Sequence, residues 1–260
     1  MDITVVIPTP TIPEAGRWAR GETELSHIPE EKYPVLYLLH GTGNNHATWT
    51  GYTKAELYAE EHRIALVCMS AENQDYVDNG DGDFMTFLEE ELPDFVTGIF
   101  PVSKRPEDTY IAGLSMGGFG TLVHALNYPE KYHAMGVISA GISASNMPRS
   151  LDNYDPSKYR STRRFPRGYR PDINCWMLAD KIHEEGGTFP KAYVCCGKKD
   201  GHYRANKEFA ELLKQYGADV TWHEMEQYGH EWRFWDCELE NILNWLPRTD
   251  VYAAKGKRKV

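Results

Sequence analysis

Short, almost unbroken apolar runs alternate along this chain with longer stretches in which apolar residues return every three or four positions. The runs at 35–39, 64–69, 109–112, 135–139 and 192–196 have little polar interruption. That pattern predicts strands covered on both faces. A further strand is expected over 219–225, where His223 falls in an alternating pattern. Between the runs, Phe119, Leu122, Val123 and Leu126 follow helical spacing, as do Phe209, Leu212, Leu213 and Tyr216. Trp232, Trp235, Leu239, Ile242, Leu243 and Leu246 keep one helical stripe over four turns. Another helix is expected from about 83 to 100, kinked or split at Pro93.

Strands alternating with helices of this length predict an α/β fold, a mostly parallel central sheet with helices on both faces. Ligands of such sheets bind beyond the carboxyl ends of the strands, so chemistry is sought in the strand-exit loops. No internal repeat or linker divides the chain, and residues 1–260 read as one domain. The exception is 141–171, polar, basic and aperiodic. It is too long for an ordinary connection and reads as a flap over the site or an irregular insertion.

Composition narrows the function classes. With 260 residues, 41% hydrophobic and 25% charged, the chain can bury a large single core, and long disorder is excluded. The net charge of −10 opposes binding to nucleic acid, which a basic surface drives. No apolar run approaches the roughly 18 residues of a membrane span. The first residues lack the basic segment and cleavage site of a secretory signal. A soluble, cytoplasmic protein is expected, or one whose export signal was removed. The five cysteines, Cys68, Cys175, Cys195, Cys196 and Cys237, show no paired spacing and suit a reducing compartment. Between Arg149 and Arg170 seven basic residues face two acidic ones, and Lys-Gly-Lys-Arg-Lys near the C-terminus reads as a frayed tail.

The strongest chemical signal is Gly113-Leu114-Ser115-Met116-Gly117, between an expected strand and an expected helix. In that context G-x-S-x-G makes a sharp turn that lifts the serine hydroxyl above the sheet at a helix N-terminus. A serine needs a base to act as nucleophile. His230, in a loop after a late strand, is the candidate, with His202 as competitor; His183 and His223 sit within regular elements. Asp200 follows the strand at 192–196 and is the candidate to orient the imidazole. Oxyanion donors are expected from Met116 N–H and from the glycine-rich loop after 35–39, at Thr42 with Gly41 as fallback. His40 is expected to hold that loop by hydrogen bonding. No metal or organic cofactor is required.

The segments Val35-Leu-Tyr-Leu-Leu-His-Gly, Gly113-Leu-Ser-Met-Gly-Gly-Phe-Gly and Gly229-His-Glu-Trp-Arg-Phe-Trp resemble the esterase D/feruloyl esterase group of α/β-hydrolases. The resemblance runs from about Tyr33 to Leu246. It implies an α/β-hydrolase fold with Ser115 as nucleophile, Asp200 as acid, His230 as base, and Thr42 and Met116 at the oxyanion. Members usually carry more strand before the equivalent of Ile3 to Ile7, so a shortened sheet edge is expected. The basic stretch is not a shared signature.

The expected activity is that of a serine carboxylesterase acting on small acyl esters, acetyl or hydroxycinnamoyl (feruloyl), of carbohydrates or other alcohols. Trp49, Tyr76 and Trp232, with Asn79, are candidates to line the substrate site, Trp232 competing with a role in the helical core stripe. The alternatives are a thioesterase of the S-formylglutathione hydrolase type and a non-catalytic carbohydrate-binding protein on the same fold. The expected partner is a small-molecule or saccharide ester, with no nucleic acid and no membrane; homo-oligomer formation is left open.

Overall fold

The computed structural model describes residues 1–22, 29–142 and 171–260. Among these the strands are β1 (Ile3–Val6), β2 (Val35–Leu39), β3 (Ala65–Met69), β4 (Asp78–Asn79), β5 (Gly82–Asp83), β6 (Thr109–Leu114), β7 (Ala134–Ile138), β8 (Lys191–Gly197) and β9 (Val220–Met225). The helices are α1 (Ile12–Ala19), α2 (Thr48–Tyr52), α3 (Ala55–His62), α4 (Phe84–Thr86), α5 (Leu92–Ile99), α6 (Met116–Asn127), α7 (Cys175–Glu184), α8 (Tyr203–Gln215), α9 (Trp232–Trp245) and α10 (Val251–Ala254). Seven strands form one sheet in the order β1-β3-β2-β6-β7-β8-β9, while β4 and β5 make a separate small hairpin. Every pairing in the large sheet is parallel except the antiparallel edge strand β1 on β3.

Both faces of this sheet are covered, which is why its strands read as continuous apolar runs. In β2, Val35, Tyr37 and Leu39 pack with α5, α6 and α7 on one face, while Leu36 and Leu38 pack with α3 and α9 on the other. The register then aligns the strand exits. Leu39 pairs with Gly113, Leu114 with Ile138, Ile138 with Cys195, and Gly197 with Met225. The loops after β2, β6, β7, β8 and β9 therefore leave from one edge of the sheet.

The expected helix over 83–100 is present with an unforeseen solution at Pro93. Its middle, Phe87–Glu91, is π-helical, and α5 starts immediately after it with Pro93 in its first turn. A proline lacks the N–H that an uninterrupted α-helix would need, but at the first turn that donor is unused. The wider turn before Pro93 thus lets the helix restart.

The basic tail is not frayed. Arg258 donates from Nε to Glu60 C=O at 2.7 Å and from Nη2 to Thr9 C=O at 2.6 Å, and it pairs with the Glu60 carboxylate. Lys257 meets Glu61 at 3.3 Å and Glu240 at 3.4 Å. The tail's charges found fixed carboxylates on α3 and α9, a match that local composition does not reveal. The irregular stretch expected at 141–171 lies outside the described residues except at its ends. No helix among the described residues is long and apolar enough to cross a membrane.

Candidate active site

Between β6 and α6 the chain reverses at a single residue. Ser115 adopts φ 54° and ψ −112°, a left-handed conformation that costs an L-residue energy and persists only where the surroundings hold it. They do so through its backbone: Ser115 N–H donates to Ile138 C=O at 2.9 Å, and its own C=O accepts from Phe119 at 3.0 Å and Gly141 at 3.1 Å. Gly117 is required by close approach. A Cβ there would lie 2.3 Å from Leu39 O and 2.7 Å from His40 O, so any side chain would push α6 off the end of β2.

The turn brings the Ser115 hydroxyl to His230. His230 Nε2 lies 3.0 Å from Ser115 Oγ, and His230 Nδ1 lies 2.8 Å from Asp200 Oδ2. These three residues come from the loops after β6, β8 and β9. The other Asp200 oxygen, Oδ1, accepts from His202 N–H at 2.9 Å. Burial opposes ionisation of Asp200, but hydrogen bonds from His230, the His202 N–H and Ser139 outweigh it and hold the carboxyl below its ordinary range. An ionised Asp200 can only accept, so the imidazole proton belongs on Nδ1 and Nε2 is left to take the serine proton.

The imidazole is also held sideways. Its ring meets Trp235 edge-on at 4.9 Å and His202 at 5.2 Å. Burial holds the His202 imidazole below its ordinary range, and the neighbouring His230 adds to this against the pull of Asp200. His202 therefore gives its backbone N–H to Asp200, while His230 holds the contact with Ser115. Asp200, His202 and His230 bring potential metal-ligating atoms within 4.8 Å of one another. Both Asp200 oxygens are already taken by N–H donors, one from His202 and one from His230.

The loop after β2 closes the other side of the serine. A Cβ on Gly41 would lie 3.4 Å from Ser115 Cβ and 2.5 Å from Leu114 Cδ1, which puts the Gly41 backbone against the elbow. Thr42 follows it, and Met116 opens α6. His40 is buried with both ring nitrogens engaged: Nδ1 donates to Gly41 C=O at 2.8 Å, and Nε2 accepts from Ala71 N–H at 3.0 Å. Burial pushes this imidazole below its ordinary range, as a neutral structural ring requires. Gly43 N–H donates to Asn73 Oδ1 at 2.6 Å, tying the loop to the turn after β3.

Two of the aromatic candidates are placed otherwise than expected. Trp49 and Tyr76 are both 0% exposed and offer no surface to a substrate. Their polar ends bind the backbone at the start of the loop after β2, Trp49 Nε1 donating to Leu39 C=O at 3.1 Å and Tyr76 OH to His40 C=O at 3.0 Å. Asn79 is half-buried and donates to Gln74 Oε1 at 3.1 Å. Trp232 is half-buried at the start of α9, packed edge-on against Trp235 at 5.0 Å and Trp49 at 5.7 Å. It also stacks on Tyr52, which is exposed, at 5.0 Å.

Sequence reasoning missed Ser139 and Gly197. Ser139, fully buried after β7 with φ 48°, is one of the groups that hold Asp200 ionised. Its signal was its place at the exit of the strand between those that carry Ser115 and Asp200. At Gly197 a Cβ would lie 2.3 Å from Tyr228 O, so a glycine lets the loops of Asp200 and His230 meet.

A mostly parallel sheet with a strained serine at the turn from its central strand into a helix defines an α/β-hydrolase fold, the fold of serine hydrolases that the chain resembles. Residues 25–246 match the model of the Esterase family, described as "Putative esterase", and the chain belongs to that family. It is 29% identical over 231 residues to an acetyl esterase of Caldicellulosiruptor saccharolyticus, covering 85% of this chain and 86% of that one. Two solved structures from Staphylococcus aureus are 27% identical, each covering 94% of this chain and 91% of theirs. They are the fluorophosphonate-binding serine hydrolase FphF, TM-score 0.75, and the S-formylglutathione hydrolase FrmB, TM-score 0.73. A ferulic acid esterase at 20% identity shares the fold, with TM-score 0.69 over 94% of this chain and 90% of that one.

Proposed function

We propose that this chain is a serine carboxylesterase that removes small acyl groups, acetyl foremost, from carbohydrates or other alcohols. The observation that carries this reading is the continuous hydrogen-bonded chain from Ser115 Oγ through His230 to Asp200 at the carboxyl edge of the sheet. Ser115 attacks the ester carbonyl while His230 Nε2 takes its proton. Asp200 keeps the ring in the accepting tautomer and stabilises the imidazolium. Backbone N–H groups of Met116 and of Thr42 or Gly41 stabilise the oxyanion, a contribution on the order of 10²–10³ in rate for each donor. His230 passes the proton to the leaving alcohol, and water then releases the acid by the reverse steps.

The acetyl preference is supported by the acetyl esterase relative. Hydroxycinnamoyl esters remain in the proposal through the shared fold alone. A thioesterase reading is favoured by the likeness to FrmB at 27% identity. A non-catalytic role sits poorly with a relay in which all three side chains are in hydrogen-bond contact.

The test is Ser115→Ala, which should abolish p-nitrophenyl acetate turnover while the circular dichroism spectrum stays that of the wild type. Retained turnover would refute the assignment. Comparing acetylated and feruloylated saccharides with S-formylglutathione as substrates of the wild type then separates the three chemistries.

A further inference from the structure

Beyond the last pairs of β7 the chain turns through Ser139, Ala140 and Gly141, between the strands that carry Ser115 and Asp200. This turn reaches both of those residues. Gly141 N–H donates to Ser115 C=O at 3.1 Å, and the Ser139 hydroxyl is one of the donors to Asp200. Ala140, between the two, is fully buried past the end of the sheet's ladder. Its N–H and C=O must find partners elsewhere.

Both partners come from one side chain. Near the start of α8, Asn206 Oδ1 accepts from Ala140 N–H at 2.9 Å, and Asn206 Nδ2 donates to Ala140 C=O at 2.9 Å. Nδ2 also donates to His202 C=O at 2.9 Å, which uses both of its protons. Asn206 is itself 0% exposed, so these bonds are made away from water. They clamp the turn after β7 to the turn after β8. Each of those turns gives Asp200 a donor. Ser139 immediately precedes Ala140, and His202 N–H donates to Asp200 Oδ1 at 2.9 Å.

Building on the esterase reading, we propose that Asn206 is a positioning residue for the acid of the relay. By clamping Ala140 to His202, its carboxamide keeps the Ser139 and His202 donors on Asp200 and the carboxylate aimed at His230 Nδ1. Asn206 touches neither the nucleophile nor the base and acts through Asp200. The relay serves acylation, where His230 takes the Ser115 proton, and deacylation, where it takes a proton from water. Loss of the clamp therefore slows both steps and does not discriminate between substrates.

The experiment measures kcat and KM for p-nitrophenyl acetate and p-nitrophenyl propionate in the wild type, Asn206→Ala and Asn206→Ser, each with and without Asp200→Asn. Circular dichroism verifies folding. Serine is the milder change, because it leaves a smaller cavity yet cannot bridge Ala140 and His202. Both substitutions should lower kcat, alanine by about 10²-fold, with the same factor for both esters and KM unchanged. In the Asp200→Asn background they should cost nothing further, since no carboxylate is left to aim. An unchanged kcat in a folded variant, or an equal loss with and without Asp200→Asn, overturns the proposal. A wild type that hydrolyses neither ester overturns the esterase reading, and this role with it.

Discussion

Asp200 has to stay an anion with only 6% of its surface exposed. Burial alone would raise its pKa, so the three donors around it are what keep it charged. Asp200→Asn tests what that charge does. An amide N–H facing His230 Nδ1 turns the ring into the tautomer with its proton on Nε2, where it can no longer accept from Ser115. The expected loss in kcat is on the order of 10³–10⁴ with the fold unchanged, read from acetyl ester kinetics. A loss below about tenfold would show that the carboxylate is dispensable. At this scale the sequence was informative where a residue's neighbours in the chain carry the meaning, as at Ser115 with its flanking glycines. Asp200 and His230 were legible through their position after late strands. Ser139 was not, because its partner Asp200 follows another strand, and the His202 N–H and the Trp235 ring were not, because a backbone donor and a ring of a helical core stripe carry no residue signature of what they touch. Trp49 and Tyr76 were misplaced because an aromatic residue in a polar loop looks the same from sequence whether its ring faces solvent or the core.

At the scale of elements, the site depends on two close approaches between backbones. One is α6 against the end of β2, which Gly117 permits and the G-x-S-x-G pattern announces. The other is the exit of β8 against the turn before α9, which Gly197 permits and no motif announces. Gly197→Ala would place a methyl 2.3 Å from Tyr228 O, on backbone that cannot swing aside as a side chain would. The loops of Asp200 and His230 must then separate. The expected result is a fall in kcat of about 10²-fold, the scale of a 1 Å misplacement, with a smaller change in KM. An unchanged kcat would mean that the two loops adjust independently. The central strands were readable because both faces of a parallel sheet demand apolar residues. Edge strand β1, the β4–β5 hairpin and helix α3 leave weaker patterns, since short or one-sided elements bury too little to force a period on the sequence.

Across the whole molecule, a second polar network ties the face of the sheet opposite α9 to the loop after β2. Glu89, buried in the π-helical turn, accepts from His124 Nδ1 at 2.6 Å, Tyr132 OH at 2.7 Å and Lys131 Nζ at 3.1 Å. His124 Nε2 reaches Tyr76 C=O at 2.8 Å, and the Tyr76 hydroxyl holds His40 C=O. The helix before Pro93, helix α6, the entry to β7 and the loop after β2 are thus joined through one carboxylate. Burial opposes its ionisation, but the bonds from His124 and Tyr132 and the charge of Lys131 prevail and hold its pKa below the ordinary range. A carboxylate whose pKa is lower folded than unfolded stabilises the fold above the unfolded value, near ~4.3. That stability is lost as pH falls through the folded value. Glu89→Gln removes the charge from buried partners and should cost about 3 kcal/mol at pH 7, or about 6–12 °C in Tm. The variant's Tm should also fall less steeply than the wild type's as the pH drops below ~4.3. Thermal unfolding of both proteins from pH 7 to pH 3 reads the two effects together. Parallel Tm curves for the two proteins across that range would show that the network's contribution does not depend on the Glu89 charge.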